Sequence, residues 1–262
     1  PPQVTARPAF AVAFTDERIF PTDEPLYEKP GDVDFDQLQN SGIDAGTPVI
    51  VLQESADRKW FFIKDGIAAG WVRRENIAFA DRKAWLSHME AQRAGAVVTA
   101  ARTYIYLDGA MTRPAGLVRM GTRFPLRRIL RDAVEVAFPV RHPDGSARFV
   151  SAFMAARDVF RGALPYTPRM VITQAFKLLD APYGWGDRKG NQDCSRFTQM
   201  VFATVGIELP RNSGEQGRSG ISLAEFGNDV PAAQKASLIS MQGVGAATLL
   251  RRLGKAATEK EI

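Results

Sequence analysis

Apolar and polar positions alternate in short runs through the middle of the chain and turn to a helical period only in its last third. From Asp36 to Phe79 the text reads as closely spaced strands: TPVIVL, the turn signal SADRK, then WFFIK, the dipeptide DG, AGWVRR and NIAFA. Short strands at such spacing predict a small barrel over residues 36–80. Asp81 to Ala94 reads as a linking helix with Asp81 as its cap, Trp85, Leu86 and Met89 on one face, and Gly95 as its stop. A second strand-rich unit follows over residues 96–160 through TYIYLDG, AGLVRMGTRFPL, VEVAFPV and ARFVSAFM, broken by Gly and Pro turns. The pattern thus predicts two small barrels in tandem behind an N-terminal extension over residues 1–35.

The texture changes near Arg161. GALPYTPRM opens a helix in which Thr167 can cap, Pro168 fits the first helical position, and Val171, Ile172, Ala175, Phe176 and Leu179 form an apolar stripe. A Gly- and aromatic-rich turn, Ala181 to Gly190, leads to a second helix that begins at Asp193, turns Phe197, Met200, Val201, Thr204 and Val205 toward a core, and stops at Gly206. Beyond Arg211 the pattern is less regular, with a helical stretch over Ala232 to Met241, short strand-like runs at ASLISM and AATLLRR, and a polar tail of about a dozen residues.

Composition narrows the class. A chain of 262 residues, 45% of them hydrophobic, can bury a sizeable core, and it contains no run of eighteen apolar residues, so no membrane span is expected. The first residues, PPQVTARPAF, have neither the basic start nor the apolar centre of a signal peptide. A net charge of +5 suits an acidic partner, but Lys and Arg are scattered and no helix-turn-helix or zinc-finger spacing appears, so nucleic acid is not the expected partner. Neither an HExxH motif nor paired CxxC motifs occur, and Gly243-Val244-Gly245 lacks the third glycine and the acidic residue of a dinucleotide loop, so neither metal nor cofactor is expected.

The chemistry rests on the single cysteine, Cys194, in the stretch APYGWGDRKGNQDCSRFTQMVFATVGIELPRNS. One cysteine forms no internal disulfide and leaves both reducing and oxidising compartments open. At the first turn of a helix its thiol meets unpaired backbone N–H groups and the positive end of the helix dipole, which favour the thiolate. A lone cysteine is more often a buried small hydrophobe. Here Asp193, Ser195 and Arg196 make the surroundings polar, which favours a nucleophile. Taken singly, Tyr183 and Trp185 could pack a turn, Arg211 could make a surface ion pair and Ser213 could cap a turn.

In this order, PYGWG, DCSRF and GIELPRNS, with Gln216 and Gly220 behind them, resemble the NlpC/p60 cysteine peptidases, papain-like hydrolases that cut bacterial cell-wall peptides. The two strand-rich units, notably KWFFIKDGIAAGWVRRENIA and TRPAGLVRMGTRFPL, resemble the bacterial SH3-type domains that precede such catalytic domains. The resemblance covers roughly Arg18 to Gly220 and implies an α+β protein: two small SH3-like β-barrels followed by a papain-like catalytic domain over residues 161–262. It implies Cys194 as nucleophile, Tyr183 beside the thiolate, Asp193 and Ser195 near the free amine of a stem peptide, and Arg211 and Ser213 facing the carboxylate of a D-glutamyl unit. The implied reaction is hydrolysis of the γ-D-glutamyl bond to a diamino acid through an acyl-enzyme, on peptidoglycan stem peptides, in a periplasmic or extracellular setting.

The chain departs from that family at the general base, which the family supplies as a histidine on a strand after the cysteine helix. Here no histidine follows Cys194, and the two present, His88 and His142, both precede it. In the first barrel, Ala69 stands where the family often has a tyrosine before Gly-Trp-Val. The catalytic domain is therefore expected to be cut short or altered toward its C-terminus. Two function classes follow: a cell-wall peptidase, or a catalytically inactive cell-wall-binding protein that keeps the helix-start motif for structural reasons.

Overall fold

A computed structural model describes residues 5–31 and 33–219. It is a mixed α/β structure of three sheets and few helices. The expected helix at Ala232 to Met241, the ASLISM and AATLLRR runs, the polar tail, Gly220 and the Gly243 segment all lie outside the described residues.

The first sheet has seven strands: β1 (Arg7–Ala11), β2 (Thr15–Arg18), β3 (Gln39–Ile43), β4 (Pro48–Glu54), β5 (Trp60–Lys64), β6 (Ala69–Arg73) and β7 (Ile77–Phe79), in the order β3-β2-β6-β5-β4-β1-β7. The strands read at TPVIVL, WFFIK, AGWVRR and NIAFA are β4 to β7, and Phe61, Ile63, Val72 and Ile77 meet in the core. The sheet reaches back well before residue 36, because residues read as an extension supply β1 and β2. Both were hidden in the sequence for physical reasons. Pro8 argues against an interior strand, yet it sits where β7 has ended and only its carbonyl is used on that side, accepting the Ala80 N–H, so its missing N–H costs the ladder little. β2 is the polar run TDER, whose Glu17 and Arg18 are nonetheless buried; Arg18 is held by Asp36 and by Gln39.

The linking helix α1 (Arg82–Arg93) is capped as expected, Asp81 accepting the Ala84 N–H at 2.9 Å. Trp85 donates to the Ala9 carbonyl, but Leu86 is turned to solvent, and the buried side chain of the helix is His88. Residues 96–161 then form eight strands: β8 (Ala96–Val98), β9 (Arg102–Tyr106), β10 (Pro114–Arg119), β11 (Arg123–Phe124), β12 (Leu126–Ile129), β13 (Ala133–Arg141), β14 (Ala147–Ala155) and β15 (Val159–Arg161). They make a five-stranded sheet, β10-β9-β14-β13-β12, and a three-stranded one, β11-β8-β15, around a core that includes Ile105, Phe124, Val136, Phe138 and Met154.

The helical unit packs α2 (Pro168–Phe176) on α3 (Cys194–Thr204), with a single turn, α4 (Ser213–Gln216), behind them. Thr167 caps α2 and Pro168 opens it, as read. The expected apolar stripe is rotated. Val171 is buried, but Ile172, Phe176 and Leu179 are exposed, and Gln174 and Leu178 take the inner positions. Val171 and Leu178 share one core with the α3 side chains, while Gln174 is covered at Thr99 and Lys177, so the neighbours select which part of the helix turns inward.

Three buried charges and the partly buried Arg196 tie the three units together. Arg119 of β10 grips Asp44, just past β3, with two hydrogen bonds of 2.8 and 2.9 Å. Arg196 of α3 donates to the same carboxylate at 2.7 Å and lies 2.9 Å from Asp187, which Arg119 also approaches at 3.4 Å. Burial works against the Asp44 charge, but Arg119 and Arg196 outweigh it and hold the carboxyl below its usual range. Removing one member strands its partners in a low-dielectric interior. Asp44→Ala is therefore expected to cost about 3–5 kcal/mol, whereas Arg74→Ala, which breaks an ion pair with Glu54 that is over a third exposed on both sides, costs under about 1 kcal/mol. Urea denaturation of the two variants, side by side, checks the difference.

Candidate active site

The turn before the cysteine helix is held in an unusual backbone shape. Gly186, Asp187, Lys189 and Gly190 all adopt positive φ, at 59°, 66°, 55° and 77°. Glycine at 186 serves a second need, because a Cβ there would stand 2.7 Å from the Gln39 side chain. Contacts from the first sheet hold the shape: Gln39 donates to the Gly186 carbonyl at 2.9 Å, and Asp16 accepts the Lys189 N–H at 2.9 Å. On the other side, Arg102 of β9 donates to the Gly190 carbonyl and to Asn191. The turn therefore depends on both strand-rich units.

From this turn the chain passes through Gln192, bridged to Tyr183, into α3. Asp193 is the N-cap, accepting the Arg196 N–H at 2.9 Å and the Ser195 hydroxyl at 3.1 Å. Cys194 is the first residue of the helix, a free thiol exposed to solvent. Tyr183 is half exposed; burial and the charges of Cys194 and Asp193 raise its phenol above the ordinary range.

Arg211 is buried and spends its donors inside the protein. It reaches Asp193 through two nitrogens, at 2.7 and 3.2 Å, the Ser195 hydroxyl at 2.9 Å, and, through Nε, the Ser41 hydroxyl of β3 at 2.9 Å. Burial alone would push the Asp193 carboxyl up, but the Arg211 hydrogen bonds and charge, with the Arg196 N–H, hold it below the usual carboxylate range. The anion next to the nucleophile is thereby neutralised, so it does not cancel the favourable end of the helix dipole. Asp193 Oδ2 accepts only from Arg211 among the described residues and keeps a lone pair.

Ser213 is exposed at the start of α4, and its carbonyl accepts the Gly217 N–H. Gln216, fully buried, donates to the Ser195 and Pro210 carbonyls and so fastens the Leu-Pro-Arg segment to the cysteine helix. The two histidines are engaged elsewhere. His88 is wedged between Phe10 and Phe149, at ring distances of 4.8 and 4.3 Å, and burial lowers it to about 4. His142 pairs with Asp144 in the β13–β14 turn. Among the described residues no group of three His, Cys, Asp or Glu side chains could hold a metal ion, and no helix is long and apolar enough to cross a membrane.

Sequence reasoning had no access to Ser41, whose only signal is a small polar residue in a β-strand, or to Glu17. Glu17 is fully buried near Arg211, with one oxygen bound by Asn40 and the other unpartnered. Burial and the nearby Asp65 push its carboxyl up to about 8.

An exposed thiol opening a helix, with an arginine-neutralised carboxylate before it, is an arrangement whose chemistry suits a cysteine nucleophile. Comparison with known proteins finds two separate stretches of similarity. Residues 25–73 match the SH3 domain of the SH3b1 type, and residues 180–248 match the NlpC/P60 family. The chain is similar to the probable endopeptidase p60 of Listeria monocytogenes, 43% identical over 56 residues, which are 21% of this chain and 12% of that protein. It is also similar to a γ-D-glutamyl-L-lysine dipeptidyl-peptidase of Bacillus cereus, 27% identical over 130 residues, 48% of this chain and 38% of that one. The matched stretches thus span well under half the length of these relatives. In fold it is like an NlpC/P60 endopeptidase of Photobacterium damselae (TM-score 0.61, 23% identity, 80% of this chain and 45% of that one). It is equally like an NlpC/P60 family protein of Bacillus cereus (TM-score 0.62, 18% identity, 83% and 78%).

Two outcomes follow from this geometry. Arg211→Ala leaves Asp193 buried and unpaired, and is expected to weaken binding of a γ-D-glutamyl peptide far more than Arg211→Lys, which keeps the charge but not the fork. Equal calorimetric binding by both variants and the parent would remove Arg211 from the site. The second concerns pH. A carboxyl at about 8 in the fold binds a proton that the unfolded chain has already released, so Glu17 makes stability fall as pH rises from about 4.5 through about 8. Thermal midpoints of Glu17→Gln should lose that part of the pH slope.

Proposed function

We propose that this chain is a peptidoglycan stem-peptide hydrolase of the NlpC/P60 kind, acting as a γ-D-glutamyl-L-diamino acid endopeptidase. The observation that carries this reading is the exposed Cys194 thiol at the first position of α3 with its N-cap carboxylate neutralised by Arg211. In this reading Cys194 attacks the γ-D-glutamyl carbonyl, expelling the diamino acid amine and forming an acyl-enzyme that water then hydrolyses. Tyr183 lies beside the thiolate, and the free lone pair of Asp193, with Ser195, receives the substrate's amine. Ser213 serves the glutamyl carboxylate from its exposed position, whereas Arg211, read from the sequence as facing that carboxylate, is buried with its donors on Asp193, Ser195 and Ser41 and acts by holding Asp193 in place.

The same reading divides the chain into an N-terminal extension (1–35), a first SH3-like barrel (36–80), a linking helix (81–95), a second SH3-like barrel (96–160) and a papain-like catalytic domain (161–262). The two sheets around a common core in residues 96–161 support the second barrel. The strands at residues 7–18 extend the first unit toward the N-terminus. A cell-wall substrate places the protein in the periplasm or outside the cell.

A second reading, a cell-wall-binding protein without turnover, is favoured by the histidines: His88 is enclosed by aromatic rings, His142 is paired with Asp144, and none follows Cys194 in the sequence. Expelling an amine needs a proton donor, and general acid–base help is worth about a hundredfold to ten-thousandfold. The 262-residue chain is accordingly expected to cleave L-Ala-γ-D-Glu-diamino acid peptides only weakly, and a chimera carrying a histidine-bearing strand after α4 to recover the rate. Cys194→Ala should abolish cleavage in both. Rapid cleavage by the unaltered chain that survives His88→Ala and His142→Ala would show that another group serves as acid and base. Complete inactivity of the chimera, with peptide binding intact, would favour the binding protein.

A further inference from the structure

Although Lys and Arg are scattered along the whole sequence, the excess of positive over negative charge falls in one unit. Residues 96–161 contain eleven arginines, no lysine and five carboxylates, a net of +6 against +5 for the whole chain. The remaining residues are close to balanced.

Several of these arginines lie along one edge. β12 is the outer strand of the five-stranded sheet, and residues 127–131, Arg-Arg-Ile-Leu-Arg, are all exposed. Arg128 stands opposite Glu135, Glu135 opposite Phe153, and Phe153 opposite Tyr106, so one row crosses four strands on the face turned away from the core. On the same face Ser151 links Glu135 to Arg127, and the Arg127 and Arg128 guanidiniums are held in place by this ladder while remaining exposed. Tyr104 is half exposed, its ring 6.1 Å from that of Tyr106. Arg131 makes no ion pair among the described residues.

Charged residues on an edge strand also guard against unwanted strand pairing, and that role needs only charge. Three features go beyond it: the use of arginine alone, the fixing of two guanidiniums through Ser151 and Glu135, and the neighbouring open tyrosines. Guanidiniums grip carboxylate or phosphate through paired hydrogen bonds, and aromatic faces offer an apolar surface to a flat ring.

We infer that this face binds an acidic polysaccharide, its anionic groups meeting Arg127, Arg128 and Arg131 and its sugar rings lying on Tyr104 and Tyr106. The charge of the unit is complementary to such a polymer, and the arrangement of rings and forks suits a chain of sugars better than a lipid surface. This site is separate from the chemistry at Cys194 and is tested without turnover.

The probe is polygalacturonate, with its methyl-esterified form as a neutral polymer of the same sugar, titrated against the full chain by calorimetry. Binding is expected for the acidic polymer only, weakening as salt rises. R127Q/R128Q/R131Q should lose about tenfold or more in affinity, as expected for removing charge-assisted hydrogen bonds, and Tyr104→Ala should weaken binding severalfold without changing the salt slope. Should the glutamine variant fail to fold, R127K/R128K/R131K keeps the net charge and is still expected to bind more weakly than the parent. Equal binding of the neutral polymer, tighter binding of duplex DNA or of phosphatidylglycerol vesicles, or unchanged affinity in the folded variants would each overturn the inference.

Discussion

The quartet of Asp44, Arg119, Asp187 and Arg196, three of them buried, is the contact on which the placement of α3 and of the turn before it depends. Each strand-rich unit supplies one member and the helical unit two. Separately these charges would be costly to remove from water; together they satisfy one another only when all three units are docked. The quartet thus makes docking specific more than strong. It sets the rotation of α3 through Arg196, two residues after the cysteine, and the direction of the preceding turn through Asp187.

The nucleophile is built on that frame from a second set of contacts. Gln39, Ser41 and Asp16 of the first sheet touch the Gly186 carbonyl, Arg211 and the Lys189 N–H. Arg102 of the second unit touches the other end of the same turn. A turn that holds Asp187 and Lys189 at positive φ is strained unless its surroundings over-determine it. The strand-rich units are therefore structural parts of the site, whatever they also bind. The two histidines sit where α1 meets the sheets and in a surface turn, and their neighbours account for both positions without reference to Cys194.

What could be read without coordinates was local. Asp81, Thr167 and Pro168, and Asp193 are capping residues whose signals lie within one helical turn, and each marked its helix start correctly. WFFIK and VEVAFPV declared themselves by β-propensity and flanking turns. The position of Cys194 at the start of α3 followed from the same short-range logic.

What could not be read was decided by pairings over long separations. Arg211 meets Ser41 across 170 residues and Gln39 meets Gly186 across 147, and no local pattern encodes such partners. The polar strand β2 is buried only because Asp36, Gln39 and Asn40 meet its charges. The stripe of α2 was misjudged because a hydrophobic pattern specifies an apolar face, while the packed neighbours select which part of it to cover. The sequence by itself determined where helices begin, where the apolar strands run and where the thiol stands. Tertiary structure alone decided which charges neutralise one another around it, because a buried charge is tolerated only when a partner, however distant in the chain, is brought to it.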